Sequence, residues 1–84
     1  MKNITIYTTN TCPYCVRAKA LLNKKNAIFT EINVEDEQKR NKMMELTAGR
    51  RSVPQIFIGD RHVGGCDDLY ELDRKGELDQ LLSL

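Results

Sequence analysis

Apolar side chains along this chain change period every few residues. Residues 3–8, NITIYT, alternate polar and apolar, and β-branched Ile4, Thr5 and Ile6 favour an extended strand with two differently exposed faces. After Pro13 the spacing turns helical: Val16, Ala20 and Leu21, with Leu22 beside them, form the apolar stripe and Lys and Arg fill the other faces, ending near Asn23 to Asn26. The segment AIFTEINV, residues 27–34, returns to an extended pattern through Ile28, Phe29, Ile32 and Val34. Asp36 then offers a cap for a helix carrying Met43, Met44 and Leu46, with Ala48-Gly49 as its stop.

Beyond Pro54 the pattern differs. QIFIGDRHVGG reads as two short strands joined at Gly59-Asp60, where glycine supplies the backbone angles of a tight hairpin. Asp67 or Asp68 starts a last helix with Leu69, Tyr70 and Leu72, and Gly76 separates it from a C-terminal helical turn containing Leu78, Leu81 and Leu82. A βαβα half followed by ββα predicts a four-stranded mixed sheet flanked by helices, an α/β sandwich of minimal size. With 84 residues the chain has material for one core, so residues 1–84 are expected to form a single domain.

Composition excludes several classes. Thirteen Lys and Arg stand against twelve Asp and Glu, a net charge of +1 with the signs interspersed, which argues against a nucleic-acid partner. Apolar runs of a few residues fall far short of the roughly 20 that span a bilayer, so no membrane association is expected. The N-terminal MKNITIYTTNTC has no secretory pattern, which leads to the expectation of a cytoplasmic protein. Three cysteines, two of them close together, suit a reactive pair in a reducing compartment better than a framework of structural bridges.

Cys12 lies where the first strand gives way to the helix, and Pro13 suits the first helical position because no hydrogen-bonded N–H is needed there. Cys12 is therefore the N-cap, facing the free N–H groups of Tyr14 and Cys15 and the positive end of the helix dipole. Cysteines in such settings have pKa values of roughly 3.5 to 7.5, so Cys12 is expected to be a thiolate nucleophile at neutral pH. Cys15, one turn on and on the same face, is close enough for a disulfide and more shielded, which makes it the resolving thiol. Zinc fits less well: a structural site takes about four ligands, and only Cys66 and His62 remain to complete one. No metal site is expected. Other groups have plainer readings: Cys66 as a small packed residue, His62 as a surface strand residue, Met43 and Met44 as core, and Lys39, Lys42, Arg50 and Arg51 as a solvated basic face.

TCPYC at 11–15, SVPQIFI at 52–58 and GGCDDL at 64–69, in this order and at these separations, resemble the dithiol glutaredoxins, most closely the bacterial glutaredoxin 3 type, over essentially the whole chain. The resemblance implies the thioredoxin fold, glutathione as co-substrate with no bound cofactor, and reduction of protein disulfides and glutathione mixed disulfides. It also implies a monomer whose partners are glutathione and disulfide-containing proteins, ribonucleotide reductase among the candidates. Cys12 matches the nucleophile, Cys15 the resolving thiol and Pro54 the cis-proline of the family. Val53 matches the backbone that pairs with the cysteine unit of glutathione. Cys66, Asp67 and Asp68 match the turn holding its γ-glutamyl end, and Tyr14 and Arg40 match its glycine end.

Two positions depart from the pattern. Thr9 stands where relatives often have lysine, which removes a positive charge from beside Cys12 and from the glycine carboxylate, and Ser52 conservatively replaces threonine. Glutaredoxins poise near about −200 to −230 mV, close to the glutathione pool, so either direction of exchange is accessible. Two rival readings are an iron-sulfur scaffold built by two chains with Cys12 and two glutathiones, which Pro13 disfavours by stiffening the loop, and a protein reduced by thioredoxin reductase.

Overall fold

Strand β1 (Ile4–Thr8) is buried along nearly its whole length because it lies inside the sheet, with a neighbour on each side. The computed structural model describes residues 3–82, so the outermost residues of the expected domain lie outside the description. Helix α1 (Pro13–Lys24) returns the chain to β2 (Thr30–Asn33), which pairs parallel with β1 from Thr5↔Thr30 to Thr8↔Asn33. After α2 (Glu37–Leu46), β3 (Gln55–Ile58) runs antiparallel on the other side of β1, and β4 (Arg61–Gly64) completes the order β2-β1-β3-β4. Helices α3 (Cys66–Arg74) and α4 (Glu77–Leu82) follow. This is the expected mixed sheet with flanking helices.

The register sorts side chains by face. Ile4 opposes Ile58 and Ile6 opposes Ile56, and these four join Ala18, Leu21 and Leu22 of α1, Leu69 of α3 and Leu78 and Leu82 of α4 in the main core. One residue out of phase, Thr5 opposes Phe57 and Tyr7 opposes Gln55, and on that face a smaller cluster of Tyr7, Val34 and Met43 seats α2. Met43 is the one buried side chain of α2.

Five expectations need correction. The stripe of α1 that faces the sheet is Cys15, Ala18, Leu21 and Leu22; Val16 is 62% exposed, because the cap at Cys12 sets the phase of the helix and puts Val16 about 100° away from Cys15. Strand β2 holds four residues, and Ile28 stands 85% exposed ahead of it, since the chain leaves α1 through Asn26 at φ 58 and pairs with β1 only from Thr30. Asp36 occupies the N-cap of α2 without a side-chain cap bond. Helix α3 starts at Cys66 with Gly65 at its N-cap; Asp68 serves from inside the first turn, its carboxylate accepting from the Gly65 N–H at 2.9 Å. His62 is half-buried, its ring stacked on Phe57 at 4.8 Å between centroids. The helix stop at Ala48-Gly49 and the Gly59-Asp60 turn are formed as expected, with Gly59 at φ 61.

Candidate active site

Cys12 is the N-cap of α1 in extended conformation, with Pro13 beginning the helix. The Cys15 N–H points at Cys12 Sγ across 3.1 Å. Of the two amides expected to face the sulfur, this is the one within bonding distance. The pair is joined as a disulfide with Cα atoms 5.1 Å apart, and Cys15 is 1% exposed whereas Cys12 is half-buried at the helix tip. An incoming sulfur can therefore reach Cys12 before Cys15.

Across from the helix tip the Val53-Pro54 bond is cis, and the Val53 carbonyl oxygen lies 3.9 Å from Cys12 Sγ. A cleft of about 220 Å³ opens beside it. Ser52 to Gln55 line one side and Gly65 to Asp68 the other, with Tyr14 and Arg50 completing the lining. Tyr14, Val53, Pro54, Cys66, Asp67 and Asp68 are thus brought together. Tyr14 is 54% exposed, and Arg17 stacks over both the Tyr14 and Tyr70 rings, 5.9 and 5.4 Å from their centroids, while the Tyr70 hydroxyl donates to the Arg17 carbonyl at 3.0 Å.

Arg40 is not among the residues lining this cleft. Its guanidinium donates to the Val34 carbonyl at 3.2 Å and the Arg51 carbonyl at 2.9 Å, tying α2 to the end of β2 and to the loop before Val53. The cleft has a different cation, Arg50. Sequence reasoning placed Arg50 on a solvated face; the signal available was its position two residues before Ser52-Val53. Gln55, also in the lining, carries no charge to draw attention.

The acidic residues Asp67 and Asp68 sit in the first turn of α3, whose N-terminal residues Gly65 to Asp68 line the cleft. The cleft thus offers a guanidinium in one segment and carboxylates beside helix N–H donors in another, which suits a ligand bearing both charges. Burial pushes the Cys66 thiol above its usual pKa, Asp67 adding to the effect and Arg17 opposing it, so Cys66 remains a protonated, 3% exposed packing residue at neutral pH.

A vicinal cysteine pair on the first turn of a helix, facing a cis-proline in a mixed sheet of this order, defines a thiol-disulfide oxidoreductase of the thioredoxin fold. The family model "Glutaredoxin" matches residues 4–63. The chain is 52% identical to Glutaredoxin 3 of Escherichia coli (strain K12), the match covering 98% of this chain and 99% of that protein. The solution structure of a glutaredoxin from Brucella melitensis is 54% identical over 98% of this chain and 89% of its own, with a TM-score of 0.85. A crystal structure of a buckwheat glutaredoxin-glutathione complex is 32% identical over 95% of this chain and 76% of its own, also at a TM-score of 0.85. The chain belongs to the glutaredoxin family, the glutathione-dependent thiol-disulfide oxidoreductases, and Cys12 and Cys15 are its dithiol. Among the described residues no helix is long and apolar enough to cross a membrane.

Proposed function

We propose that the cleft holds glutathione with its sulfur on Cys12, and that Cys12 alone attacks substrate while Cys15 only resolves. One observation carries this reading: the same sulfur that receives the Cys15 N–H at 3.1 Å also faces the Val53 carbonyl at 3.9 Å, beside the cleft. The cysteine unit of glutathione pairs with the Val53 backbone as a short added strand. Its γ-glutamyl carboxylate meets the N–H groups at the start of α3, and its ammonium meets Asp67 or Asp68. The glycine carboxylate is assigned to Tyr14 and Arg50. Arg40 is assigned to holding the loop.

In the reduced protein the Cys12 thiolate attacks the glutathionyl sulfur of a mixed disulfide. That S–S bond breaks, the substrate thiolate leaves and takes a proton from water, and glutathione remains on Cys12. The thiolate of a second glutathione attacks this sulfur, releasing glutathione disulfide and regenerating Cys12. With a protein disulfide, Cys12 bonds one sulfur and expels the other as thiolate; Cys15 then attacks the Cys12 sulfur, frees the reduced protein and closes Cys12-Cys15, which two glutathiones reopen. Each cycle moves two electrons from glutathione to substrate, and no bound cofactor or metal takes part. The reading extends to a monomer acting as one domain in the cytoplasm on disulfide-containing proteins, ribonucleotide reductase among the candidates.

Incubating Cys15→Ser with a glutathionylated peptide tests the assignment. The expected product is one glutathionyl adduct, located by mass spectrometry on Cys12 and removed by free glutathione. An adduct on Cys66, or none, would overturn it.

A further inference from the structure

The loop that leads into Val53 has three consecutive carbonyls held by side chains from three places in the fold. Arg50 O lies 3.2 Å from the Thr47 hydroxyl, Arg51 O accepts from Arg40 at 2.9 Å, and Ser52 O accepts from the Gln55 Nε2 amide at 3.0 Å. The last of these adjoins Val53. Pro54 has no N–H to give to the ladder, which begins at Gln55 opposite Tyr7, so the backbone just ahead of it is held by side chains instead.

Gln55 is 1% exposed, and a buried amide is costly unless both of its ends are bonded. Its ends are unambiguous. Ser52 O is an acceptor only, so the group facing it is the amide nitrogen, which also reaches Ser52 Oγ at 3.2 Å. The other end is therefore Oε1, 2.7 Å from His62 Nε2, which must carry a proton and donate. The His62 ring is in turn fixed by stacking on Phe57, which meets Tyr7 edge-on at 5.9 Å. Because Nε2 is the donor, protonation at Nδ1 leaves this bond in place.

We infer that His62 and Gln55 are positioning residues for glutathione: His62 orients the Gln55 amide, and Gln55 pins the Ser52 carbonyl so that the Val53 edge is already set when glutathione arrives. The inference rests on the proposed role of Val53. A preset edge spares the ligand the cost of ordering the loop, so the benefit falls on substrate binding and leaves the chemistry at Cys12 alone.

Steady-state kinetics with a glutathionylated peptide, coupled through glutathione reductase, tests it on wild type, His62→Leu, His62→Gln and Gln55→Glu. Leu removes the donor; Gln keeps one at nearly the same place. Glu keeps the acceptor for His62 and sets an oxygen against Ser52 O. The expected result is KM raised roughly tenfold in His62→Leu and Gln55→Glu, the size of one lost buried hydrogen bond, with kcat and the alkylation rate of Cys12 by iodoacetamide within about twofold of wild type. His62→Gln is expected to restore most of the loss. If His62→Leu does not fold, Gln55→Glu carries the test. Unchanged KM in a folded, active Gln55→Glu overturns the inference and leaves the glutathione reading standing. An inactive wild type overturns both.

Discussion

The Cys15 N–H is aimed at Cys12 Sγ, nitrogen and sulfur 3.1 Å apart, so in the reduced protein the helix that carries Cys15 sets a donor against the Cys12 sulfur. An anion gains from that donor and from the dipole behind it, whereas a neutral thiol gains little. In Cys15→Ser, ultraviolet titration of thiolate absorbance is expected to show one group ionising below the free-cysteine value of about 8.5, and Cys12→Ser should abolish it. Cys66, held protonated by burial, should ionise only above its usual range.

Gly64 ends β4 at the turn that lines the cleft, with φ 119, and a side-chain carbon there would run into the Asp68 carboxylate that caps α3 through Gly65. Gly64→Ala therefore combines a strained backbone with a displaced cap. The expected loss is about 1–3 kcal/mol, seen as a Tm drop of several degrees, with the KM for glutathionylated peptide raised as well. An unchanged KM would separate the cap from the site.

Helix α2 is anchored by a single fully buried side chain. Met43 is 0% exposed against Tyr7 and Val34, while Leu46 is 46% exposed. Met43→Ala is expected to cost about 2–5 kcal/mol in urea unfolding. Hydrogen exchange should rise first in α2, and the main core around Leu22 and Leu69 should keep its protection.

Burial pulls the His62 pKa below its ordinary value, the positive charge of Arg50 adding to this and Asp68 opposing it. A histidine with a lower pKa in the fold binds fewer protons there than in the unfolded chain. Its contribution is complete above the unfolded pKa of about 6.5 and is lost as pH falls through that value toward the folded pKa. His62→Gln cannot titrate, so the difference in unfolding free energy between about pH 7.5 and about pH 5 should be smaller than in wild type. An equal difference would contradict the depressed pKa.

Element order and the dithiol were legible because each has a local cause. Alternation around Ile4 and Ile6 marks a strand, Gly59-Asp60 a turn, and Pro13 after Cys12 a helix start. Helix phase was less legible. Val16 and Ala18 are both apolar but lie about 160° apart round the helix, and only the sheet beneath decides that Ala18 is buried and Val16 is not. The site's polar framework was least legible of all. Arg40 looked like a ligand group because it is a cation near the right place in sequence, yet its partners are the Val34 and Arg51 carbonyls, which become neighbours only when α2 packs on the sheet. The link from His62 through Gln55 to Ser52 depends on the β3-β4 pairing that puts His62 opposite Phe57, with a register shift between Ile56 and Phe57.

The most direct measurement is NADPH oxidation coupled through glutathione reductase, with a small glutathione mixed disulfide as substrate, for wild type, Cys12→Ser and Cys15→Ser. Wild type and Cys15→Ser should turn over, and Cys12→Ser should be inactive. Turnover by Cys12→Ser, or none by Cys15→Ser with this substrate, would contradict the assignment of Cys12 as the sole nucleophile and Cys15 as the resolving thiol.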